Sequence, residues 1–339
     1  MGLSLVVGPA HVGKVALILE RYLDVLERDP WLVVPNRAEV ERIERDLLER
    51  RPALLKGRIG TFDDLFEHIA AGDHDAPELA SDLTRSLAVR RAIADADLRE
   101  LRQSAATAGF ADTLLGALGE LESGLVDRAR LPGDLARLAR AYEVELDRLG
   151  VRDRDRLRRD AVDRLRGELG AWNRQPVFAY GFEDLTAAEW ALLEALAARA
   201  DVTVSIPYEP GRAAFTALEQ TAEDLARLAA GAIAELPRPA ARQARPALVH
   251  LEKELFADDP GVGPALDGAL GFLEGAGTRG TVELLGSDVL ALVKDGVPLE
   301  RVGIVCESPE RWRAPLEAVF EQLGVPFAKI GRASCRERV

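Results

Sequence analysis

Apolar and polar positions in the first part of this chain alternate between two rhythms. Leu3–Val7 is a short run that is apolar except at Ser4 and is closed by Gly8 and Pro9, as expected for a strand buried on both faces. Val15, Leu17, Ile18, Tyr22 and Leu26 then recur at helical spacing between Lys14 and Arg28. The same grammar repeats. Trp31–Val34 predicts a strand ending at Pro35, Arg37–Arg50 an amphipathic helix on Val40, Ile43 and Leu47, and Arg58–Thr61 a third strand. Phe62, Leu65 and Ile69 pattern another helix, whose start offers Thr61, Asp63 and Asp64 as caps. Strands alternating with helices predict a parallel sheet with helices on its faces.

The alternation stops at Leu83. From there to Leu169 the pattern is helical and rich in Ala, Leu, Arg and Glu, with breaks near Gly109, Gly124 and Pro132–Gly133. Strand character returns at Pro176–Tyr180, followed by a helix over Thr186–Arg199 and a strand at Val202–Ile206. Stretches rich in Pro, Ala and Gly (237–246 and 261–280) read as loops. A second unit starts near Thr281: a strand to Leu285, a helix over Ser287–Lys294, a strand at Val302–Cys306, a helix through Phe320 and a strand at Val325–Ala328. The expected organisation is one α/β domain in two parts, 1–82 and 171–236, split by a helical insertion at 83–170. A linker with loops at 237–280 leads to the start of a second α/β domain at 281–329.

Composition narrows the class. The 339 residues are 47% hydrophobic and 30% charged, enough for a sizeable core. No run approaches the roughly 18 apolar residues of a membrane span, and no secretory leader is visible; a cytoplasmic protein is expected. The last ten residues, Ile330–Val339, end a patterned segment in a basic, aperiodic string. They resemble translated read-through of a sequencing adapter, so 330–339 is set aside from fold reasoning, and the natural chain is expected to continue past Lys329, making this an N-terminal fragment. Without that tail Cys306 is the lone cysteine, expected as a buried thiol in its strand; neither a disulfide framework nor a metal site is available. The net charge of −13, more negative still without the tail's arginines, argues against a nonspecific nucleic-acid coat. It leaves room for contact through a local groove or a basic partner subunit. In Val151–Arg166, Asp and Arg interleave at ion-pair spacing with no aromatic residue to stack on bases, so a solvated helix face is expected there.

One motif carries chemistry. Residues 8–15, GPAHVGKV, fit GxxxxGK between a strand and a helix, the setting of a phosphate-binding P-loop. Gly8 and Gly13 would let backbone amides turn toward phosphate, Lys14 would contact the outer phosphates, and the helix N-terminus would add its dipole. The eighth position should supply a hydroxyl to Mg²⁺, but Val15 is there instead. His11 is expected to face solvent; His68, His74 and His250 lack metal-ligand spacing, and no catalytic triad is visible.

Residues 177–196, VFAYGFEDLTAAEWALLEAL, follow a strand and resemble the motif II region of UvrD-type superfamily 1 helicases. That pattern has an acidic pair before Phe-Gln-Asp. Here Tyr180 and Gly181 stand where the magnesium-binding Asp and catalytic Glu would be, while Phe182 and Asp184 match. The combination resembles the B subunits of AddAB-type helicase-nucleases. VVPNRAEVERIERDLL (33–48) is similar to motif Ia, GRIGTFDDLFEHI (57–69) to motif Ib, and residues 302–329 to the start of the second motor-like domain.

The resemblance implies an α/β fold of the P-loop NTPase, superfamily 1 helicase-like type, with a parallel sheet, a helical insertion and the start of a second α/β domain. It implies a helicase-like region without ATPase activity, in a subunit that serves DNA end resection during double-strand break repair, contacts DNA (a duplex end or single strand) and docks an AddA-like helicase subunit. Gly8, Gly13 and Lys14 would form a degenerate nucleotide site with ATP as candidate ligand, and no catalytic residue falls in this stretch. The family's PD-(D/E)XK nuclease domain, sometimes with cysteines holding an iron-sulfur cluster, lies farther along, so neither metal nor cluster is expected here. Two alternatives stand beside this: an active P-loop ATPase whose acid comes from elsewhere, such as Asp63 or Glu183, and a structural interaction protein in which the GxxxxGK match is accidental.

Overall fold

The structure is a computed structural model and describes residues 2–72, 78–126, 130–237 and 245–327. The tail at 330–339 and His74 lie outside the described residues. The chain divides into two compact units, Met1–Ala240 and Ala241–Val339.

In the first unit, β1 (Gly2–Gly8), β2 (Trp31–Val33), β3 (Arg58–Gly60), β4 (Val177–Tyr180), β5 (Asp201–Pro207) and β6 (Ile233–Glu235) form a 6-stranded sheet in the order β3-β2-β4-β5-β1-β6. Every pairing is parallel, with Leu3 opposite Val202 and Val7 opposite Ile206 in the longest ladder. The fold is α/β, as the alternation predicts. β6 carries no sequence signal of its own; it forms because β1 offers an open edge beside it.

Helices α1 (Lys14–Asp24) and α2 (Arg37–Arg50) cover one face, where Ile18, Leu19, Tyr22, Val40, Ile43 and Leu47 pack on Val6, Leu32, Val34 and Phe178. The chain then builds α3 (Phe62–Ala71), α4 (Asp82–Asp95), α5 (Arg102–Ala105), α6 (Phe110–Ser123), α7 (Gly133–Leu149), α8 (Arg154–Gly167), α9 (Ala187–Ala197) and α10 (Glu219–Leu228). Of these, α3, α8, α9 and α10 cover the opposite face, on Leu3, Leu5, Val7, Val33, Val177 and Val204. Alternate residues of one strand thus enter two cores, which is why the strands read as largely apolar runs. Helices α4, α6 and α7 instead share a core of their own around Val89, Leu114, Leu138 and Tyr142. Capping follows local sequence: Thr61 with Asp64 and Thr186 with Glu189 form capping boxes, each worth about 1 kcal/mol.

The crossovers define one edge of the sheet. From β1 the chain passes through α1, over β5 and β4, to β2; from β5 it passes through α10, on the other face, over β1 to β6. The helices after β1 and β5 therefore leave neighbouring strands toward opposite faces, which makes their carboxyl ends the topological switch point, where open α/β sheets bind ligands.

The second unit contains α11 (Pro246–Glu254), α12 (Gly277–Lys294) and α13 (Pro309–Leu323), with Val282, Val289, Val319, Phe320 and Val325 in its core. Three local expectations fail here. Thr281–Leu285 is part of α12, because Val282, Gly286 and Val289 lie on one helical face that meets α13 so closely that a Cβ on Gly286 would stand 2.5 Å from Leu323 Cδ1. Val302–Cys306 forms no strand, and Val325–Phe327 likewise: among the described residues of this unit no strand stands beside them to take up their backbone groups. Cys306 is half-buried and free, outside any strand. The helix α11 starts at Pro246 inside the stretch read as loop, with proline at the helix start where its missing N–H costs nothing.

Candidate functional site

The loop from β1 to α1 is shaped by its backbone. Gly8 has φ +154°, and a Cβ there would meet Leu236 O at 2.7 Å and Val12 Cγ2 at 2.9 Å, so only glycine fits. The close approach arises because Leu236 N–H donates to Val7 O at 2.9 Å just past β6. His11 (φ 63°) and Gly13 (φ 92°) both take positive φ within the loop. Gly13 is the N-cap of α1, with no side-chain cap and no acidic residue in the first turn. The N-caps of α2, α3 and α9 differ: Asn36, Thr61 and Thr186 each accept a backbone N–H.

Lys14 is the buried cation of this loop, 8% exposed. Its Nζ donates to Gly8 O at 2.7 Å and to Pro9 O at 2.5 Å. No carboxylate among the described residues forms an ion pair with it, and burial pushes its ammonium below the usual lysine range. Carbonyl dipoles thus hold a desolvated positive charge beside an uncapped helix N-terminus. Chemically this suits an anion, which would replace the carbonyls around Nζ and meet free amides at the same place. Val15, one residue on, is half-buried and packs into the α1 face core, and His11 is exposed as expected.

At the end of β4 the expected acidic pair is absent from sequence, and the fold has found other uses for both positions. Tyr180 faces the α1–α2 side, where its hydroxyl accepts from Arg42 Nη2 at 3.5 Å. Arg42 is itself held by Glu39 at 2.6 Å and Asp46 at 3.6 Å. Burial raises the Tyr180 pKa, so the phenol stays neutral. Gly181 has φ +88°, and a Cβ there would stand 3.0 and 3.1 Å from Pro35 Cγ and Cδ. Phe182 packs on Phe62 with ring centroids 4.7 Å apart. Asp184 Oδ1 accepts from Leu185 N at 2.8 Å and so serves the local turn before α9.

Gly8, Gly13 and Lys14 are therefore together in one loop, and Tyr180 and Gly181 end β4 at the same carboxyl edge, with β5 between. Asp63, a candidate substitute acid, is taken by Arg158, whose Nη2 and Nε donate to Asp63 Oδ1 at 2.7 and 3.0 Å. Glu183 is exposed. Sequence reading had no means of finding Arg42, Pro35 or Leu236 as the partners that fix these positions, since each acts through a contact distant in the chain. Ser205 on β5, registered with Val6 and Tyr180, was also missed: it is buried and its Oγ has no hydrogen-bond partner among the described residues. No group of three His, Cys, Asp or Glu among the described residues could hold a metal ion, and no described helix is long and apolar enough to cross a membrane.

No protein-family model matches the chain. Two curated proteins are similar to it over 96% of its length: the B subunit of the ATP-dependent helicase/deoxyribonuclease of Desulforudis audaxviator, 28% identical, and the protein of the same name from Pelotomaculum thermopropionicum, 26% identical. The chain spans 32% of the length of each. Its sequence is thus AddB-like almost throughout, in agreement with the order of its motifs.

Proposed function

We propose that this chain is the helicase-like N-terminal region of the B subunit of a helicase-nuclease, acting in DNA end resection for double-strand break repair as a DNA-contacting and subunit-docking scaffold without ATPase activity of its own. In this reading residues 83–170 are a helical insertion in the motor-like domain, DNA and an AddA-like helicase subunit are the partners, and nuclease chemistry belongs to other parts of the assembly. The similarity to two proteins named as helicase/deoxyribonuclease subunits supports the assignment of class.

The observation that carries the absence of ATPase activity is the joint state of three positions, Val15, Tyr180 and Gly181, at one sheet edge. Phosphoryl transfer from ATP needs a metal held beside the phosphates and a group that orients the attacking water. Val15 packs into the core where a hydroxyl would ligate the metal, and the motif II positions are a phenol turned to Arg42 and a glycine fixed by its backbone. Gly8, Gly13 and Lys14 keep the means to hold a phosphate. ATP would sit with its phosphates on this loop, and the chain's residues would bind and orient it with no step of hydrolysis following.

Equilibrium binding of ATP with and without Mg²⁺, together with steady-state hydrolysis in the presence of DNA, tests this on wild type and Lys14→Ala. Binding that depends on Lys14 and is indifferent to Mg²⁺, with no turnover, is expected. Motor-like hydrolysis abolished by Lys14→Ala would overturn the reading. The competing ATPase that recruits Asp63 is disfavoured by the Arg158 pairing; Glu183→Gln, applied to any turnover found, tests the other substitute.

A further inference from the structure

The seam between α8 and α3 carries a chain of buried and half-buried ions that the proposed nucleotide site does not use. Arg158 on α8 is 6% exposed and joins Asp63 on α3 to Asp155 one turn back, donating from Nη1 to Asp155 Oδ1 at 2.9 Å. Asp155 also lies 4.0 Å from Arg85 Nη2 on α4. Arg85 reaches Asp153, the N-cap of α8, at 3.3 Å, and Asp153 accepts from the Tyr142 hydroxyl of α7 at 2.7 Å. From α6, Glu122 faces Asp155 and pairs with Arg159 at 3.2 Å, and Ser123 Oγ lies 3.5 Å from Arg158 Nη1. From α9, buried Glu189 feels both Arg158 and Asp63. Arg154 approaches Asp63 at 3.7 Å from the exposed rim.

Among the described residues the carboxylates Asp63, Glu122, Asp153, Asp155 and Glu189 outnumber the guanidiniums Arg85, Arg158 and Arg159, even with Arg154 at the rim counted. Crowded carboxylates out of water cannot all ionise cheaply, so the cluster favours taking up a proton. We propose that this seam is a proton-sensitive latch: α4, α7 and α8 are clamped to α3 when Asp155 is protonated and are held under electrostatic strain when it is ionised.

The direction follows from Asp155, which burial, with Asp153 next, pushes up to about 6 against the opposing charges of Arg158 and Arg85. A carboxyl whose folded value lies above its ordinary one contributes stability that is full below the ordinary carboxylate range and is lost as pH rises through about 6. At neutral pH the seam is therefore the loosened state of the latch.

Amide hydrogen exchange on the whole chain, expressed as protection relative to the intrinsic rate at each pH, tests the latch. Protection in α4, α7 and α8 is expected to be about tenfold greater at pH 5.0 than at pH 7.5, from the two ionisation positions of Asp155. Asp155→Asn is expected to remove most of that difference by raising protection at pH 7.5, while α1 and α2 stay unchanged. Glu122→Gln relieves the same crowding from α6 and is expected to narrow the difference, so the test survives a poorly folded Asp155 variant. His68→Gln, on α3 but outside the cluster, is expected not to narrow the difference. A tenfold difference that persists in both carboxyl variants, that spreads evenly over the sheet unit, or that vanishes with His68 would overturn the proposal.

Discussion

Substituting Gly181 by alanine probes why the motif II position holds no acid. At φ +88° an L-residue is strained by about 1–2 kcal/mol. The new Cβ would also press on the Pro35 ring at 3.0 and 3.1 Å, an overpacking that costs about 1–3 kcal/mol because a proline ring cannot swing away. Together these give a loss of about 3 kcal/mol, or roughly 6–12 °C in Tm for a unit of this size. Urea unfolding followed by tryptophan fluorescence, with the slope unchanged and the midpoint lowered, is the assay. Gly181→Glu should be at least as destabilised and, kept folded at low temperature, should gain no Mg²⁺-dependent hydrolysis, since Val15 still offers the metal nothing. A loss below about 0.5 kcal/mol in Gly181→Ala would show that neither the backbone nor Pro35 constrains the site. Restored hydrolysis in Gly181→Glu would refute the claim that the fold, and not a single missing carboxylate, sets the absence of activity.

Other expectations follow from the same geometry. Lys14→Met should abolish ATP binding by titration calorimetry yet change stability by less than about 2 kcal/mol, because relief from burying an ammonium offsets two charge-assisted hydrogen bonds. Thr61→Ala and Thr186→Ala should each cost about 1 kcal/mol in urea unfolding through loss of a capping box. His68 is pushed below the usual histidine range by burial and then by the Arg58 charge. Its charged form is thus disfavoured in the folded state, and it withdraws stability as pH falls below its ordinary value. His68→Gln should therefore raise the urea midpoint at pH 5.5 and leave it nearly unchanged at pH 7.5.

Part of this protein is written locally. Val6 and Leu5 belong to different cores, yet a run such as Leu3–Val7, apolar except at Ser4, already implies a strand covered on both faces. Thr61 with Asp64, and Thr186 with Glu189, announce helix starts because a cap needs only residues three apart. Gly8, Gly13 and Lys14 likewise announce a strand–loop–helix turn, since they sit within one short segment whose shape depends on its own dihedrals. The charge interleaving of Val151–Arg166 was legible as ion pairing, but the reading of it as a solvated face holds only in part: Asp155 and Arg158 are buried against α3 and α4.

What tertiary structure alone decided has a common cause: it depends on groups distant in sequence that carry no mutual signal. Asp63 looks like a spare carboxylate until Arg158, 95 positions away, takes it. Tyr180 reads as a missing acid, and only packing shows the phenol turned to Arg42, 138 positions back, with Gly181 confined by Pro35. Thr281–Leu285 alternates well enough for a strand, but a strand needs a neighbour to satisfy its backbone, whereas a helix satisfies its own and needs only an apolar face to bury against α13. The sequence by itself therefore determined most elements of the sheet unit, the turn around Lys14 and the absence of a hydroxyl and two acids. The fold determined that those absences are filled by packing and cannot be reversed one residue at a time.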